Sequence, residues 1–187
     1  MGVLKVPQPV KFLTAVTYSH HEILIATKKA LENRFDKIDL ESPPFAFDHT
    51  RYYEKEMGPN LRKQFFSFAG LHERERLIEL KLYSLELEKK YSRGGKRQAN
   101  MDPGYLELCK LVVSSTKNFD HRIYLGQGVF GDVQLRFRKG EFITNDWTYP
   151  DYHSQTVINF LLEVRAHYYK QLNQLIDGKD HLQASWC

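Results

Sequence analysis

The pattern of apolar and polar residues at the start of the chain predicts a strand followed by a helix. Apolar side chains dominate residues 11–18, and a proline-rich stretch before them and Ser19 after them mark the ends of a buried strand. Ser19 and Glu22 have the spacing of a capping box, in which two side chains satisfy free backbone amides at a helix start. The following apolar positions recur at three- and four-residue steps, at Leu24, Thr27, Leu31 and Phe35. This stripe predicts a helix that packs on a sheet.

The middle of the chain predicts two further strands, a long helix and a short strand. Residues 37–47 carry apolar side chains around two prolines, and proline donates no hydrogen bond to a sheet, so we expect either an edge strand or a strand that leaves the sheet at Ser42. Residues 61–69 predict the next strand. Residues 73–91 predict a long helix that ends before a glycine pair, and residues 97–101 a short strand.

The last third of the chain predicts a helix, a hairpin and a final helix. Asp102 is a good N-cap and Pro103 suits the first helical position, so we expect a helix over residues 103–116. Residues 123–137 alternate between apolar and polar side chains around several glycines, which predicts a half-exposed hairpin. Apolar residues at helical spacing predict a last helix over residues 154–176.

The order of these elements indicates the fold class. Up to Met101 the order is strand, helix, strand, strand, helix, strand, as in a ferredoxin-like split βαβ core. We therefore predict an α+β fold in which a helix, a hairpin and a C-terminal helix are added to that core. A doubly wound parallel sheet is the alternative, but adjacent strands without an intervening helix count against it. We expect residues 1–187 to form a single domain, with residues 179–187 as a frayed tail.

Composition and charge favour a globular domain without a membrane anchor. The chain has 187 residues, of which 42% are hydrophobic and 27% charged, so it can bury a core without disulfides or a metal. No apolar run approaches the roughly 20 residues that span a bilayer, and no signal peptide pattern precedes the first strand. Cys109 and Cys187 lack the spacing of zinc ligands and suit a reducing compartment. We expect a cytoplasmic protein without a membrane partner, and the sequence assigns no metal, cofactor or oligomeric state.

Known phosphate-binding and metal-binding motifs are incomplete in this sequence. A P-loop requires GxxxxGK[ST], and the glycine pair after the long helix lacks both the spacing and the hydroxyl residue. Gly126, Gly128 and Gly131 spell GxGxxG, but they lie in the predicted hairpin rather than between a strand and a helix. His20 and His21 are adjacent, whereas two metal ligands on a helix are typically four residues apart. We therefore interpret the glycines as hairpin turn residues and the two histidines as solvent-facing residues at a helix start.

Four predicted loops hold tyrosines and charged residues that packing does not require: residues 48–56, 100–105, 121–124 and 147–152. Functional sites are usually built on loops that a rigid scaffold positions, so we predict that these loops line one cleft. Arg122 would contact an anion, carboxylates would accept ligand hydroxyls or hold a cation, and tyrosine rings would form the walls. We expect the cleft to bind a small polar or phosphorylated ligand. The predicted ligand-binding residues are Asp48, Tyr53, Glu54, Asn100, Asp102, Tyr105, His121, Arg122, Tyr149 and Asp151.

Two basic clusters favour a different function, a non-enzymatic module that binds RNA or a protein. One cluster lies within residues 89–97, and the other comprises Arg136, Arg138 and Lys139 in the hairpin. RNA recognition requires aromatic side chains on the same face as the basic ones, whereas Phe137 alternates with its basic neighbours. The net charge of +4 is also modest. A solvated basic face is therefore favoured over a nucleic-acid surface.

Several segments together carry a family resemblance. They are IDLESPPFAF at 38–47, YYEKEMG at 52–58, NMDPGYL at 100–106, HRIYLGQGVF at 121–130 and WTYPDY at 147–152. With these segments in this order, the chain resembles a bacterial family catalogued as domain of unknown function 4416, over about residues 8 to 170. The resemblance implies no particular activity. Some members carry a label of GTP-binding protein, which the missing P-loop does not support here.

Overall fold

In the computed structural model, which describes residues 6–177, nine strands form one antiparallel sheet. The strands are β1 (Val10–Tyr18), β2 (Ile38–Glu41), β3 (Phe45–Ala46), β4 (Arg62–His72), β5 (Ala99–Leu106), β6 (Lys110–Ser115), β7 (Arg122–Gly126), β8 (Val129–Arg138) and β9 (Glu141–Thr144). The helices are α1 (His21–Arg34), α2 (Glu54–Met57), α3 (Leu77–Lys90) and α4 (Gln155–Asp177), with short 3-10 turns at Arg74–Arg76 and Pro150–His153. The main strand order is β2-β4-β1-β5-β6-β8-β7, with β3 added to β4 and β9 to β8.

The central strands form the predicted split βαβ arrangement. Strands β1 and β2 are both antiparallel to β4, which lies between them, so they are parallel to each other with α1 as the crossover. Strands β4 and β5 flank β1 in the same way and are connected through α3. Two interleaved βαβ units therefore make up the core, and the α+β prediction is confirmed.

Two hydrophobic layers cover the sheet, one on each face. In β1, Phe12 and Val16 belong to the layer formed with α1 and α3. Leu13 and Ala15 belong to the layer formed with α4. Because both faces are covered, every residue of β1 is buried, which explains its nearly continuous apolar sequence.

Residues 103–116 form most of a β-hairpin rather than the predicted helix. Asp102 and Pro103 lie within β5, paired with β1, so Asp102 is not a helix N-cap. A Cβ on Gly104 would lie 2.4 Å from the carbonyl oxygen of Val112, so the close approach of β5 and β6 requires glycine there. The Asp-Pro signal for a helix start is local. Strand β1, which is distant in sequence, offers unpaired backbone groups along one edge, and only a strand can pair with them. This pairing outweighs the local signal.

The start of α1 also differs from the prediction. The helix begins at His21, and the N-cap residue His20 makes no side-chain capping bond. Ser19 Oγ donates instead to the carbonyl oxygen of Gln98 at 3.2 Å. The serine therefore joins the end of β1 to the chain just before β5, and the predicted capping box is wrong.

Other elements agree with the sequence pattern. Helix α3 lies within the predicted residues 73–91, and α4 is displaced by one residue from the predicted 154–176. Strand β2 is at one end of the strand order, as expected for an edge strand that ends before two prolines. The predicted frayed tail, residues 179–187, lies outside the described residues.

Candidate functional site

The sheet opens between β5 and β6. Their pairing extends from Leu106 back to Gly104, and Ser114 Oγ then donates to the carbonyl oxygen of Pro103 at 2.7 Å. In a strand, the N–H and C=O groups of one residue point to the same side. The carbonyl group of Pro103 faces β6, so its nitrogen does too, and this nitrogen has no hydrogen to donate to β6. In the described part of the chain, no strand pairs with this side of β5 between residues 99 and 103.

Side chains of α3 replace the missing strand. The Met101 N–H donates to Glu88 Oε1 at 2.7 Å, and Lys81 Nζ donates to the Met101 carbonyl oxygen at 2.9 Å. Unpaired backbone groups in the interior are costly, and these two bonds satisfy both groups of Met101. Lys81 and Glu88 are themselves buried. Two charged side chains consequently lie at the base of the opening.

A cleft of about 120 Å³ occupies the opening. Its lining residues are Tyr52, Tyr53, Lys81, Leu85, Glu88, Arg97, Asn100, Asp102, Ser115, Thr116, Lys117 and Tyr149. Four of the residues predicted from sequence are therefore brought together here, namely Tyr53, Asn100, Asp102 and Tyr149.

Arg97 joins the tyrosine-bearing segment to the sheet and to α3. Its guanidinium donates two parallel hydrogen bonds to the Glu56 carboxylate, both at 2.7 Å. It also donates to Glu88 Oε2 at 3.2 Å and to Asn100 Oδ1 at 3.1 Å. The hydrogen bonds between Arg97 and Glu56 lower the pKa of the Glu56 carboxyl group and raise the pKa of the Arg97 guanidinium. The guanidinium also lies 5.7 Å from the ring centre of Tyr53, so Arg97 holds this wall of the cleft in place.

Asp102 supplies a hydrogen-bond acceptor to the cleft, and two tyrosines supply donors. Asp102 Oδ2 accepts a hydrogen bond from Asn100 Nδ2 at 3.0 Å. Burial, and to a lesser extent the Asp102 charge, raise the pKa of the Tyr149 hydroxyl to about 12. The same two causes raise the pKa of Tyr53. Both phenols therefore keep their protons at neutral pH and can donate hydrogen bonds.

A buried ion cluster lies next to Asp102. Lys63 Nζ is 2.7 Å from Asp151 Oδ2 and 3.8 Å from Asp102 Oδ2. Three aromatic rings surround the ammonium at 5.2 to 5.5 Å from their centres, those of Phe47, Phe65 and Tyr152. The Tyr152 hydroxyl is fully buried, and in residues 6–177 it has no hydrogen-bond partner. Asp151 therefore belongs to this cluster and does not line the cleft.

Arg122 lies behind Tyr149 rather than in the cleft lining. Its guanidinium donates to Asp132 Oδ2, Ser115 Oγ and Tyr149 Oη, each at 2.8 Å. A further bond of 3.0 Å goes to the carbonyl oxygen of Lys117. Its side chain is only 4% exposed, so Arg122 positions the Tyr149 hydroxyl and the loop after β6.

The remaining predicted residues lie outside the cleft. Asp48 and Glu54 are exposed and do not line it. Tyr105 packs against the hydrophobic layer formed with α1 and α3. His121 stacks between two aromatic side chains, and its Nε2 lies 3.4 Å from Asp132.

Sequence reasoning missed the contribution of α3 to the cleft. Leu77, Lys81, Ser84 and Glu88 are all buried on one row of this helix. The polar members of the row recur at the three- and four-residue spacing typical of core positions. Charged residues at core spacing are the signal that would have revealed a polar site beneath the helix. Lys63 carries no such signal, because it lies between Arg62 and Gln64 at the polar start of β4.

A wider groove of about 730 Å³ lies between α3 and the turn of the β7–β8 hairpin. Its charged residues include Glu79, which pairs with Arg34 at 2.8 Å and with Arg76 at 3.1 Å. These three side chains are at least one-third exposed, and their charges are paired at the surface. The smaller cleft, which has buried charged groups, is the better candidate site.

Two of the GxGxxG glycines, Gly126 and Gly128, form the hairpin turn, and Gly131 lies in β8. Gly126 and Gly128 have φ angles of 129° and 78°, and Gln127 between them has a φ of 51°. Positive φ angles at consecutive residues are typical of a tight hairpin connection. The prediction that these glycines lie in a hairpin is confirmed.

The fold and the cleft define an α+β domain in which a split βαβ sheet is extended by hairpins and opens at one strand pair. A family profile described as Domain of unknown function (DUF4416) matches residues 8–168. The chain belongs to this family. No curated protein and no solved structure matches the chain.

No helix within residues 6–177 is long and apolar enough to cross a membrane. In the same residues, no group of three or more His, Cys, Asp or Glu side chains is arranged to hold a metal ion.

Proposed function

We propose that this chain is a cytoplasmic ligand-binding domain and that the cleft between β5 and β6 binds a small polar ligand, phosphorylated compounds included. The observation that best supports the proposal is the convergence of Tyr53, Asn100, Asp102 and Tyr149 on one cleft. These residues come from three separate segments of the chain. Polar groups that converge in a concave site are typical of ligand recognition.

The polar atoms that are free of protein partners define the expected contacts. In the described residues, neither Asp102 Oδ1 nor the Tyr53 hydroxyl has a hydrogen-bond partner. Tyr149 Oη accepts a hydrogen bond from Arg122 and can still donate its own proton. A ligand that carries both hydroxyl or amine donors and oxygen acceptors would satisfy all three groups, while the tyrosine rings would pack against its carbon atoms.

The volume of the cleft limits the size of the ligand. The cleft measures about 120 Å³. Clefts for drug-sized ligands measure roughly 300–1,000 Å³, and one water molecule occupies roughly 30 Å³ of the liquid. The cleft therefore suits a metabolite with few non-hydrogen atoms, or one polar group of a larger compound.

A thermal-shift screen of small polar metabolites tests the proposal. Wild-type protein is compared with Tyr149→Phe and Asp102→Asn, and Tyr105→Phe is the control, because it removes a hydroxyl from outside the cleft. A bound compound should raise the unfolding temperature of the wild type and of the control more than that of the two cleft variants. Equal shifts in all four proteins would place binding elsewhere and contradict the proposal.

A second candidate function is a protein-interaction module that uses β7. This strand is last in the sheet order, and Ile123, Tyr124 and Leu125 are 71, 60 and 40% exposed. An exposed apolar edge strand can pair with a strand of another chain. Arg136 and Arg138 are exposed, but the aromatic residue between them is buried, which favours a protein over RNA as the partner.

The substitution Ile123→Lys separates the two candidates. If β7 binds a partner, the charge should abolish the interaction and leave metabolite binding in the cleft unchanged. An interaction that survives Ile123→Lys would exclude the β7 edge.

A further inference from the structure

Three buried lysines in the described residues differ in their ion pairing. Lys11, Lys63 and Lys81 are 0, 2 and 5% exposed. Lys11 forms an ion pair with Asp39, and Lys63 Nζ lies 2.7 Å from Asp151 Oδ2. A buried ammonium with a carboxylate in contact is the expected arrangement, because an isolated charge is costly in the interior.

Lys81 lacks such a partner. Within residues 6–177, no carboxylate oxygen lies within 4.0 Å of its ammonium, whose hydrogen bond goes to the Met101 carbonyl oxygen at 2.9 Å. The charge of Glu88 acts on Lys81 from a greater distance, but the Glu88 carboxylate is engaged by the Met101 N–H and by Arg97. An ammonium has three N–H donors, so two donors of Lys81 remain for other contacts.

The bond to Met101 does not by itself account for a lysine at this position. A neutral donor or a water molecule satisfies a carbonyl group, without the desolvation of a full charge. Lys81 also lines the cleft, so a molecule bound there lies beside this side chain. An anion in contact with Lys81 would compensate its charge in the way that Asp151 compensates Lys63.

We infer that Lys81 is the anion-binding residue of the cleft and that the ligand carries a phosphate or carboxylate group in contact with its ammonium. This inference rests on the proposed function, since it assigns a chemical class to the ligand of the same cleft. The lining holds two further cations. The guanidinium of Arg97 is already bonded to Glu56 and Glu88, and Lys117 is exposed, with a hydrogen bond to Tyr52 Oη at 3.3 Å.

The position of Asp102 adds a second feature to the ligand. A carboxylate repels an anion but accepts a hydrogen bond from a hydroxyl group. The ligand therefore has its anionic group towards α3 and a hydroxyl group towards β5. Small phosphate monoesters and small hydroxy acids have both groups, and the cleft volume of about 120 Å³ suits their size.

Three related probes test this class: glycerol, glycerate and glycerol phosphate, compared at equal ionic strength. Calorimetry measures their binding to wild-type protein, to Lys81→Gln, to Lys81→Arg and to Lys89→Met. Lys81→Gln removes the charge but keeps a donor for the Met101 carbonyl group. Lys89→Met is the matched control, because Lys89 is an exposed lysine of the same helix.

We expect at least one anionic probe to bind the wild type and Lys89→Met with equal affinity. Its affinity for Lys81→Gln should fall about tenfold or more, because a charge-assisted contact is lost. Lys81→Arg should keep part of the affinity, and any binding of glycerol should be the same in all four proteins. The probe that binds with the higher affinity, glycerate or glycerol phosphate, then shows whether the cleft prefers a carboxylate or a phosphate group.

A measurement on the wild type does not depend on the folding of a variant. In a titration followed by nitrogen NMR of the lysine ammonium groups, the Lys81 signal should shift with an anionic probe and remain unchanged with glycerol. A Lys81 signal that ignores the anionic probes, or equal affinities of Lys81→Gln and wild type, would overturn the inference. If glycerol alone binds, and Tyr149→Phe weakens it, the inference is wrong and the proposed function stands. If neither anionic probe binds, the inference is wrong, and the metabolite screen decides separately on the proposed function.

Discussion

The two halves of β5 satisfy their backbone groups in different ways. The C-terminal half pairs with β6, and Leu106 and Leu111 of these strands join the hydrophobic layer beneath α4. In the N-terminal half, Lys81 and Glu88 bond to the backbone of Met101. A neighbouring strand satisfies backbone groups with its own backbone, so its side chains can be apolar. A helix can satisfy them only with polar side chains, which leaves charged groups buried beside the open edge.

The largest expected effect on stability is in the region where the C-terminal half of β5 pairs with β6. Leu111 is fully buried, so Leu111→Ala should lower the free energy of unfolding by about 2–5 kcal/mol through lost apolar contact and a cavity. Chemical denaturation measures the change. Ile123→Ala, at a 71% exposed position of β7, is the control and should change it by about 0.5 kcal/mol or less. Similar effects of the two substitutions would contradict the assignment of Leu111 to the core.

The next largest effect on stability is expected in the ion cluster beside the N-terminal half of β5. Asp151→Asn removes the carboxylate 2.7 Å from buried Lys63 and should cost about 3 kcal/mol. Asp102→Asn keeps that pair and should cost about 1 kcal/mol or less. Both values come from chemical denaturation under the same conditions. If Asp102→Asn were as costly as Asp151→Asn, Asp102 would serve the ion cluster rather than a ligand.

A smaller effect is a pH dependence of the unfolding free energy, which we expect beside the N-terminal half of β5 but not beside its C-terminal half. Burial raises the pKa of Glu88 above its ordinary value of 4.5, so folding favours the protonated form of this side chain. Its contribution to stability is present below pH 4.5 and is lost as the pH rises through the raised pKa. Glutamine stays neutral, so the unfolding free energy of Glu88→Gln relative to wild type should increase from about pH 4 to pH 8.

Denaturation at a series of pH values measures this difference. The corresponding difference for Leu111→Ala should not vary with pH, because no titrating group is changed. A Glu88→Gln difference that is constant, or that moves in favour of wild type as the pH rises, would contradict the raised pKa.

The smallest expected effect is the absence of tight GTP binding. The glycines that could suggest a nucleotide site lie in the β7–β8 hairpin, and the cleft of about 120 Å³ is smaller than a nucleotide site requires. Calorimetry with magnesium and micromolar GTP should show no saturable complex. A one-to-one, magnesium-dependent complex in that range would contradict this prediction.

Periodicity predicted the elements whose burial depends on one contiguous face. The stripes of α3 and α4 and the apolar run of β1 were visible because each element packs along its own length. The helix prediction for residues 103–116 was wrong for the opposite reason. The Asp-Pro start of this segment is compatible with a helix, but the backbone partners that decide for a strand lie in β1, about 90 residues earlier in the chain.

The candidate site was predictable only in part. Polar and aromatic residues such as Tyr53, Asp102 and Tyr149 stood out because helix and strand packing did not require them. Arg122 also stood out, but the structure engages its guanidinium with protein groups behind the cleft. Lys81 by itself did not stand out, because a single lysine on an amphipathic helix is usually solvated, and only its core spacing with Leu77 and Glu88 distinguishes it.

The sequence by itself determined the α+β class, the two βαβ units and the residues that form most of the core, since these depend on repeating patterns of apolar side chains. Only the tertiary structure decided where β5 loses its strand partner and which side chains replace it. That outcome depends on the non-local pairing of β5 with β1 and on the position of α3 above the opening. Backbone hydrogen bonds must be satisfied wherever the chain is buried, and the choice of partner is made in space rather than along the sequence.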